Sequence, residues 1–374
     1  MNRKFPYDKG LLITVLLLLA YGLVMVFSAS SVISSELYGS TGAILIRQLL
    51  AVTIGLGLLL VTMRVDYRVY QHKWFLGAAF AGAVGLLIAA LLSPGVNGAH
   101  RWVSLGAFNF QPSELAKLVV VLLLSAYLIH RGGQVERLDL PLLKVLSLPS
   151  LLILLVLVAP DFGTSLILVF LTAFMLFLGG LSYRYFGAAL LLALPALYFL
   201  ILSVPYRRNR LLTFLDAGAD PLGAGYQIRQ SLIAVGSGGI TGMGYAQGTQ
   251  KLFYLPEPHT DFIFALIAQE FGFLGAALLV LLFGCLFWFG ARVALRADTL
   301  FGAYLGLGIV ALVVVQAMLN VSVVLSIVPT KGIPLPFVSA GGSSMLMTLC
   351  GMGILLNISK HSRGKLTLPD WRGV

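Results

Sequence analysis

The chain has 374 residues, of which 59% are hydrophobic and only 10% charged, with a formal net charge of +11. Soluble domains carry about 25% charged residues, so the composition excludes a chain with a large soluble core. No polar run is long enough for a second folded unit, which leaves one membrane domain over 1–374. The positive balance is accounted for by lysines and arginines on cytoplasmic loops, and nucleic acid is not needed as a partner to explain it.

A helix needs about 20 mostly apolar residues to cross a bilayer. Ten such spans are predicted, at 9–29, 43–62, 74–92, 113–129, 142–159, 164–181, 185–204, 261–289, 300–326 and 341–358. The first has a basic start, a long apolar stretch and no small-residue cleavage site, and reads as a retained signal anchor. Cys285 and Cys350 fall inside apolar runs, as small core residues rather than a disulfide framework.

Orientation follows from the short loops, because cytoplasmic ones collect Lys and Arg. With the N-terminus inside, the inner segments hold sixteen such residues and the short outer loops only two, Arg101 and Lys331. The expected fold is therefore an all-α polytopic membrane protein with ten transmembrane helices and both termini cytoplasmic. One long outer loop, 205–260, joins helices seven and eight, and 359–374 is a short cytoplasmic tail. The long loop carries Arg207, Arg208, Arg210, Arg229 and Lys251, but long loops translocate largely regardless of charge. On this topology the loops 93–112, 205–260 and 327–340 and the corner "APDFGT" (159–164) share the outer face.

Several charges stand at or inside apolar spans: Arg47, Glu114, Lys117, Asp161 and Asp261. Charge at membrane depth costs a few kcal/mol or more, so such groups face cavities and pair with one another. Glu114 and Lys117 in "QPSELAKL" share a helix face at i, i+3. Pro112 and Ser113 are start signals for that helix, with the acid near its positive end. Bland readings stand beside the functional one: an ion pair that staples helices, an Asp161 that caps helix six, an Arg47 that snorkels. Taken together, the five charges predict a polar cavity in the outer half of the bundle.

The stretch "LPEPHTDFIF" (255–264) places Asp261 at the lip of helix eight behind a stiff lead-in. Proline fixes φ at Pro256 and Pro258 and pushes the residue before each to an extended conformation. Stiffening suits a group held for acid–base work, although Thr260 or Asp261 capping the helix is the structural alternative. His259 tunes the acid or is a surface hydrogen-bonder. The glycines of "IAVGSGGITGMGYAQGTQK" (233–251) suit either a phosphate-binding loop or, on spacing alone, a flexible or re-entrant loop needing positive φ. Lys251 and the loop arginines beside it suit an anionic ligand or lipid headgroups. In "VPTKGIPLPFVSAGGSSML" (328–346), Ser339, Ser343 and Ser344 bond a ligand or cap helix ten. Trp102, Phe108 and Phe110 in "NGAHRWVSLGAFNFQPSE" (97–114) suit an aromatic belt. No metal-ligand spacing, nucleophile elbow or Walker sequence occurs, and no transporter-type repeat is visible.

Jointly these motifs resemble the SEDS family (shape, elongation, division and sporulation) of polytopic peptidoglycan glycosyltransferases, along nearly the whole chain. The resemblance runs through "GLVMVFSASS", "RQLL", "NGAHRWVSLGAFNFQPSELAKL", "PDFGTSL", "GYQIRQSLIAVGSGGITGMG", "QKLFYLPEPHTDFIFA" and "PTKGIPLPFVSAGGSSM". "PTKGIPLPF" and "GSGGITGMG" look more like the division-type FtsW branch than the elongation-type RodA branch. Two departures stand out: Ala340 where an aromatic is common, and Gln269 where an acid commonly precedes Glu270.

The resemblance implies polymerisation of lipid II into glycan strands at the outer face of the bacterial cytoplasmic membrane, for septal wall synthesis or cell shape. It matches the family's essential aspartate to Asp261, as general base or holder of a divalent cation, Mg2+ or Mn2+, and involves no organic cofactor. It matches the family's cavity residues to Arg47, Glu114, Lys117 and Asp161, beside which Lys251, His259, Thr260 and Ser343 are the other candidate substrate contacts. Implied partners are the polyprenyl-linked substrate, a class B penicillin-binding transpeptidase and other divisome or elongasome membrane proteins. The alternatives are a lipid II flippase, which needs polar residues along the whole crossing, and a scaffold that recruits a transpeptidase.

Overall fold

In lipid no water satisfies the backbone, so a spanning segment must close its hydrogen bonds internally. A computed structural model describes residues 7–94, 100–106, 108–131, 135, 137–202, 224–252, 254–329 and 332–362. Helices dominate it in this order: α1 (Lys9–Tyr38), α2 (Ala43–Arg64), α3 (Lys73–Leu92), α4 (Pro112–His130), α5 (Leu140–Val158), α6 (Phe162–Leu178) and α7 (Tyr183–Leu202). After these come α8 (Ala224–Ser237), α9 (Ile263–Leu295), α10 (Leu300–Val324) and α11 (Gly342–His361). Eight of them, α1–α5 and α9–α11, are long and apolar enough to cross a membrane. The other two predicted spans overlap α6, an apolar helix of 17 residues, and α7, of 20.

Local signals set the helix starts. Asp8, Asp139, Asp161 and Thr299 each accept a hydrogen bond from a backbone N–H of the first turn, at 3.0 to 3.1 Å. Pro112 opens α4 where no N–H is needed.

Three elements differ from the sequence expectation. First, α1 runs to Tyr38 rather than 29 and ends at Gly39, whose φ of 67° forms a left-handed cap. In its extension "SSVISSELY", Ser30 and Ser34 face the protein interior rather than lipid. Second, the segment before α4 folds into an antiparallel ribbon, β1 (Val103–Leu105) with β2 (Phe108–Phe110), so the protein is not purely helical. Third, the 205–260 segment carries α8 and is not a plain loop.

Burial separates centre from rim. Of the most apolar window of α4, 83% is buried inside the protein, against 17% for α3, so α4 is a central post and α3 a lipid-facing wall. Leu118, Val121 and Leu122 of α4 join the apolar cluster of α1, α2 and α9–α11, and Val119, Val120 and Leu124 join that of α3, α5 and α6. Between helices in lipid the attraction is close packing. At Gly353 of α11 a β-carbon would stand 2.5 Å from the Leu59 carbonyl of α2, so only glycine permits that approach.

The glycine-rich segment 238–248 has a structural task. Helix α9 breaks at Gly272, with φ 65° and ψ −162°. Groups freed by the break are taken up by the segment: Phe273 and Leu274 N–H donate to the Gly239 and Ile240 carbonyls, at 2.9 and 3.1 Å. In return Met243 and Gly244 N–H donate to the carbonyls of Gln269 and Glu270, both at 3.0 Å. A β-carbon at Gly242 would lie 2.2 Å from the Glu270 carbonyl. The Met243, Gly244 and Ala246 donors are thus spent on α9, those of Gly242 and Gln247 bond within the segment, and Gly242 serves backbone approach.

Candidate active site

The segment leading into α9 is fixed at several points. Glu257, between Pro256 and Pro258, adopts a left-handed φ of 50° and not the extended conformation expected before a proline. The His259 carbonyl accepts from Ala340 N–H at 2.9 Å, and the Thr260 carbonyl accepts from the Ser339 hydroxyl, which itself accepts from Leu335 N–H at 2.8 Å. Asn320 on α10 donates its side-chain amide to the carbonyls of Asp261, at 2.8 Å, and Ile333, at 2.7 Å. Asp261 is half-buried, and a β-carbon at Gly332 would stand 2.7 Å from its Oδ2. The N-cap of α9 falls on Phe262, without a side-chain capping bond. Thr260 bonds back to the Glu257 carbonyl at 3.2 Å.

His259 is largely enclosed, with Nε2 3.9 Å from Glu257 Oε2. Its Nδ1 is buried without a hydrogen-bond partner among the described residues. Burial holds the imidazole pKa below its ordinary value, and the Glu257 charge opposes this in part.

Deeper in the same end of the bundle, Lys117 Nζ lies 2.8 Å from Glu114 Oε1 and 2.6 Å from Gln316 Oε1. Gln316 Nε2 then donates to the Pro334 carbonyl at 2.9 Å. Gln316 and Asn320 lie one turn apart on one face of α10, so two amides hold consecutive carbonyls of the 333–334 segment. Sequence reading passed over both. The available signal was two amides spaced i, i+4 in an otherwise apolar helix.

Asp161 does two things. Its Oδ1 caps α6 at Thr164 N–H, 3.1 Å, while Oδ2 accepts from Gln111 Nε2 at 3.1 Å and the Ser113 hydroxyl at 3.2 Å. Ser343 accepts from Gln111 N–H at 2.9 Å and donates to the Asn109 carbonyl at 3.2 Å, which ties the ribbon to α11. It does not cap that helix, whose N-cap Gly341 makes no side-chain bond. Gln48 joins the same end by donating to the Ser339 carbonyl at 3.3 Å.

The structure thus brings Asp161, Ser343, Glu114, Lys117, His259, Thr260 and Asp261 to one end of the bundle. Arg47 and Lys251 stand apart from their grouping. Arg47 is exposed on the same face of α2 as Ile46 and Leu50; it donates to the Tyr38 hydroxyl at 3.0 Å, with its guanidinium 4.5 Å from that ring's centre. Lys251 is buried, 2.8 Å from Glu270 Oε1 and 3.0 Å from the Ser28 hydroxyl. Glu270 Oε2 also accepts from Ala246 N–H at 3.0 Å. Gln269 donates to Ser237 and Thr249 hydroxyls at 3.3 and 3.2 Å and accepts from Gln250 N–H at 3.3 Å, so a neutral amide is fully used there. Arg207, Arg208, Arg210 and Lys331 lie outside the described residues.

Comparison with known proteins adds five findings. The family model for FtsW, RodA and SpoVE, described as a cell cycle protein, matches residues 9–364. The stage V sporulation protein E of Bacillus subtilis is 39% identical over 368 residues, covering 97% of this chain and 99% of its own. A probable peptidoglycan glycosyltransferase FtsW of Geobacter sulfurreducens is 40% identical over 362 residues, 96% of each chain. Among solved structures, a chain of a peptidoglycan synthase complex that coordinates polymerization and crosslinking superposes with a TM-score of 0.75 at 29% identity, covering 94% of this chain and 97% of that one. The rod shape determining protein RodA of Thermus thermophilus superposes with a TM-score of 0.68 at 28% identity, covering 96% and 98%.

Proposed function

The chain belongs to the FtsW/RodA/SpoVE family, and from that premise we propose that Asp261 carries out the sugar transfer of a peptidoglycan glycosyltransferase. The protein is a multi-pass membrane enzyme of peptidoglycan synthesis. The finer reading is ours. Ten helices cross the cytoplasmic membrane with both termini inside, Asp261 faces outward, and the substrate is lipid II. One observation carries it: a half-buried carboxylate, held by a backbone bonded at residues 259, 260 and 261, adjoins a buried polar network at the end of the bundle that charge bias assigns to the outside.

In this reading the 4-hydroxyl of the acceptor sugar attacks the anomeric carbon of the donor. Its proton passes to the Asp261 carboxylate, and the bond to undecaprenyl pyrophosphate breaks. Such general-base help is worth about 10²–10⁴ in rate. Lys117 has its ammonium engaged by Glu114 and Gln316, so it sets geometry rather than meeting the leaving group. Arginines of the 205–260 segment are the candidates for pyrophosphate.

A divalent ion suits the donor set in one way. Among the described residues no three His, Cys, Asp or Glu side chains converge, so the ion would be held by Asp261 and shared with substrate phosphates, as Mg2+ commonly is. Bound there, it would neutralise charge on the leaving pyrophosphate.

A class B transpeptidase is the partner we expect, in line with the synthase complex to which the chain is similar. The test uses the purified chain, with and without that partner, in vesicles carrying fluorescent lipid II. Glycan ladders on a gel are the expected product. Movement of lipid II between leaflets without any polymer would replace this reading with a flippase.

A further inference from the structure

Asn320 has no place in the sequence motifs, yet it touches the backbone of Asp261. It is 1% exposed and lies in the apolar helix α10. Burying an amide is costly unless its hydrogen bonds are made, and Oδ1 of this one has no partner among the described residues. The whole of its donor capacity goes to two carbonyls, that of Asp261 at 2.8 Å and that of Ile333 at 2.7 Å.

We propose that Asn320 is a positioning residue for the transfer reaction, acting by clamping the Asp261 segment to the 332–334 segment so that the carboxylate rests over Gly332. Three contacts carry this. The forked amide joins the two segments directly. Gly332, next to Ile333, leaves the space that the carboxylate fills, since a β-carbon there would come within 2.7 Å of Oδ2. One turn away, Gln316 holds the Pro334 carbonyl and carries Lys117 on its other end, so the same segment is tied to the buried charge pair. Gln316 grips only one of the two segments; Asn320 grips both. A shift of about 1 Å at a reacting group can cost about 10²-fold in rate, and that is the scale on which the clamp acts.

This inference rests on Asp261 being the reacting carboxylate, and the experiment separates the two. The full-length enzyme is assayed with lipid II as wild type, Asp261→Asn, Asn320→Ala, Asn320→Asp and Gly332→Ala, with hydrogen exchange followed over 254–262 and 332–341. Asn320→Ala is expected to lower kcat by about 10- to 100-fold, to leave KM within about twofold and to speed exchange in both segments. Asn320→Asp keeps the shape but, even protonated, has one donor and cannot fork to both carbonyls, and is expected to match it. Gly332→Ala deletes no polar group; it is expected to lower kcat with KM kept, and it stands in should the Asn320 variants fail to fold. Near wild-type kcat in Asn320→Ala, or in Gly332→Ala, beside an inactive Asp261→Asn overturns the inference alone. A loss of kcat in Asn320→Ala with unchanged exchange also overturns it. An active Asp261→Asn removes the catalytic reading and the clamp with it.

Discussion

Two buried ion pairs, alike in length and burial, do different work. Lys117–Glu114 and Lys251–Glu270 each span 2.8 Å with both side chains at most 5% exposed. The first lies within one helix at i, i+3 and passes through Gln316 to the segment beneath Asp261. The second joins the glycine-rich segment to α9 just before its break at Gly272, with Ser28 of α1 as the third member. Both ammoniums also reach another helix, Lys117 at Gln316 and Lys251 at Ser28. The difference is that only the long-range pair folds the chain back on itself.

Neither pair is expected to add much net stability over an apolar substitute, but removing one partner of a buried pair costs about 3–5 kcal/mol because a charge is left unpaired. Lys251→Ala and Lys117→Ala should therefore both lower the thermal unfolding midpoint of the detergent-solubilised protein, and this is the largest effect. Neutral double substitutions sharpen the contrast. Lys251→Met with Glu270→Gln should recover both stability and polymerisation, because its task is to hold α9. Lys117→Met with Glu114→Gln should recover stability while polymerisation stays impaired, because the link to Gln316 is gone. Full activity in the second double variant would make the two pairs equivalent staples.

A smaller effect is expected from His259, which lies in the segment leading to Asp261 and in neither pair. Burial lowers its pKa in the folded state, while the unfolded chain takes up a proton near the ordinary value of about 6.5. Below that pH unfolding binds a proton that the folded state refuses, so stability is complete above about 6.5 and declines as pH falls beneath it. The nearby Glu257 charge softens the decline. His259→Gln should flatten the acid side of a stability-against-pH profile; an unchanged slope would show that another group titrates there.

How much of this was legible in the chain follows the same division. Glu114 with Lys117, Pro112 at a helix start and Asp161 before "FGT" are local patterns, and the structure holds each within a few residues of where the pattern pointed. The prolines before Asp261 were readable too, but not the left-handed φ at Glu257, where an extended backbone was expected before Pro258. Contacts between distant segments were not. Lys251 looked like a ligand for anions because Glu270 only becomes its partner when the glycine segment folds onto α9. Arg47 looked like a cavity cation because sequence gives its depth but not its side of the helix. Gln316 and Asn320 escaped because scanning for charge overlooks neutral amides, although burying one is nearly as demanding. The ribbon before α4 and the helix α8 arose inside segments whose mixed composition carried no period.

The central claim concerns the carboxylate at 261, and one comparison tests it most directly. Wild type and Asp261→Asn, purified with the partner transpeptidase, are given lipid II under identical conditions, with thermal unfolding recorded for both. The account predicts equal unfolding midpoints and a polymerisation rate for the variant lower by about 10² or more. Glycan strands formed by Asp261→Asn at close to the wild-type rate would contradict it.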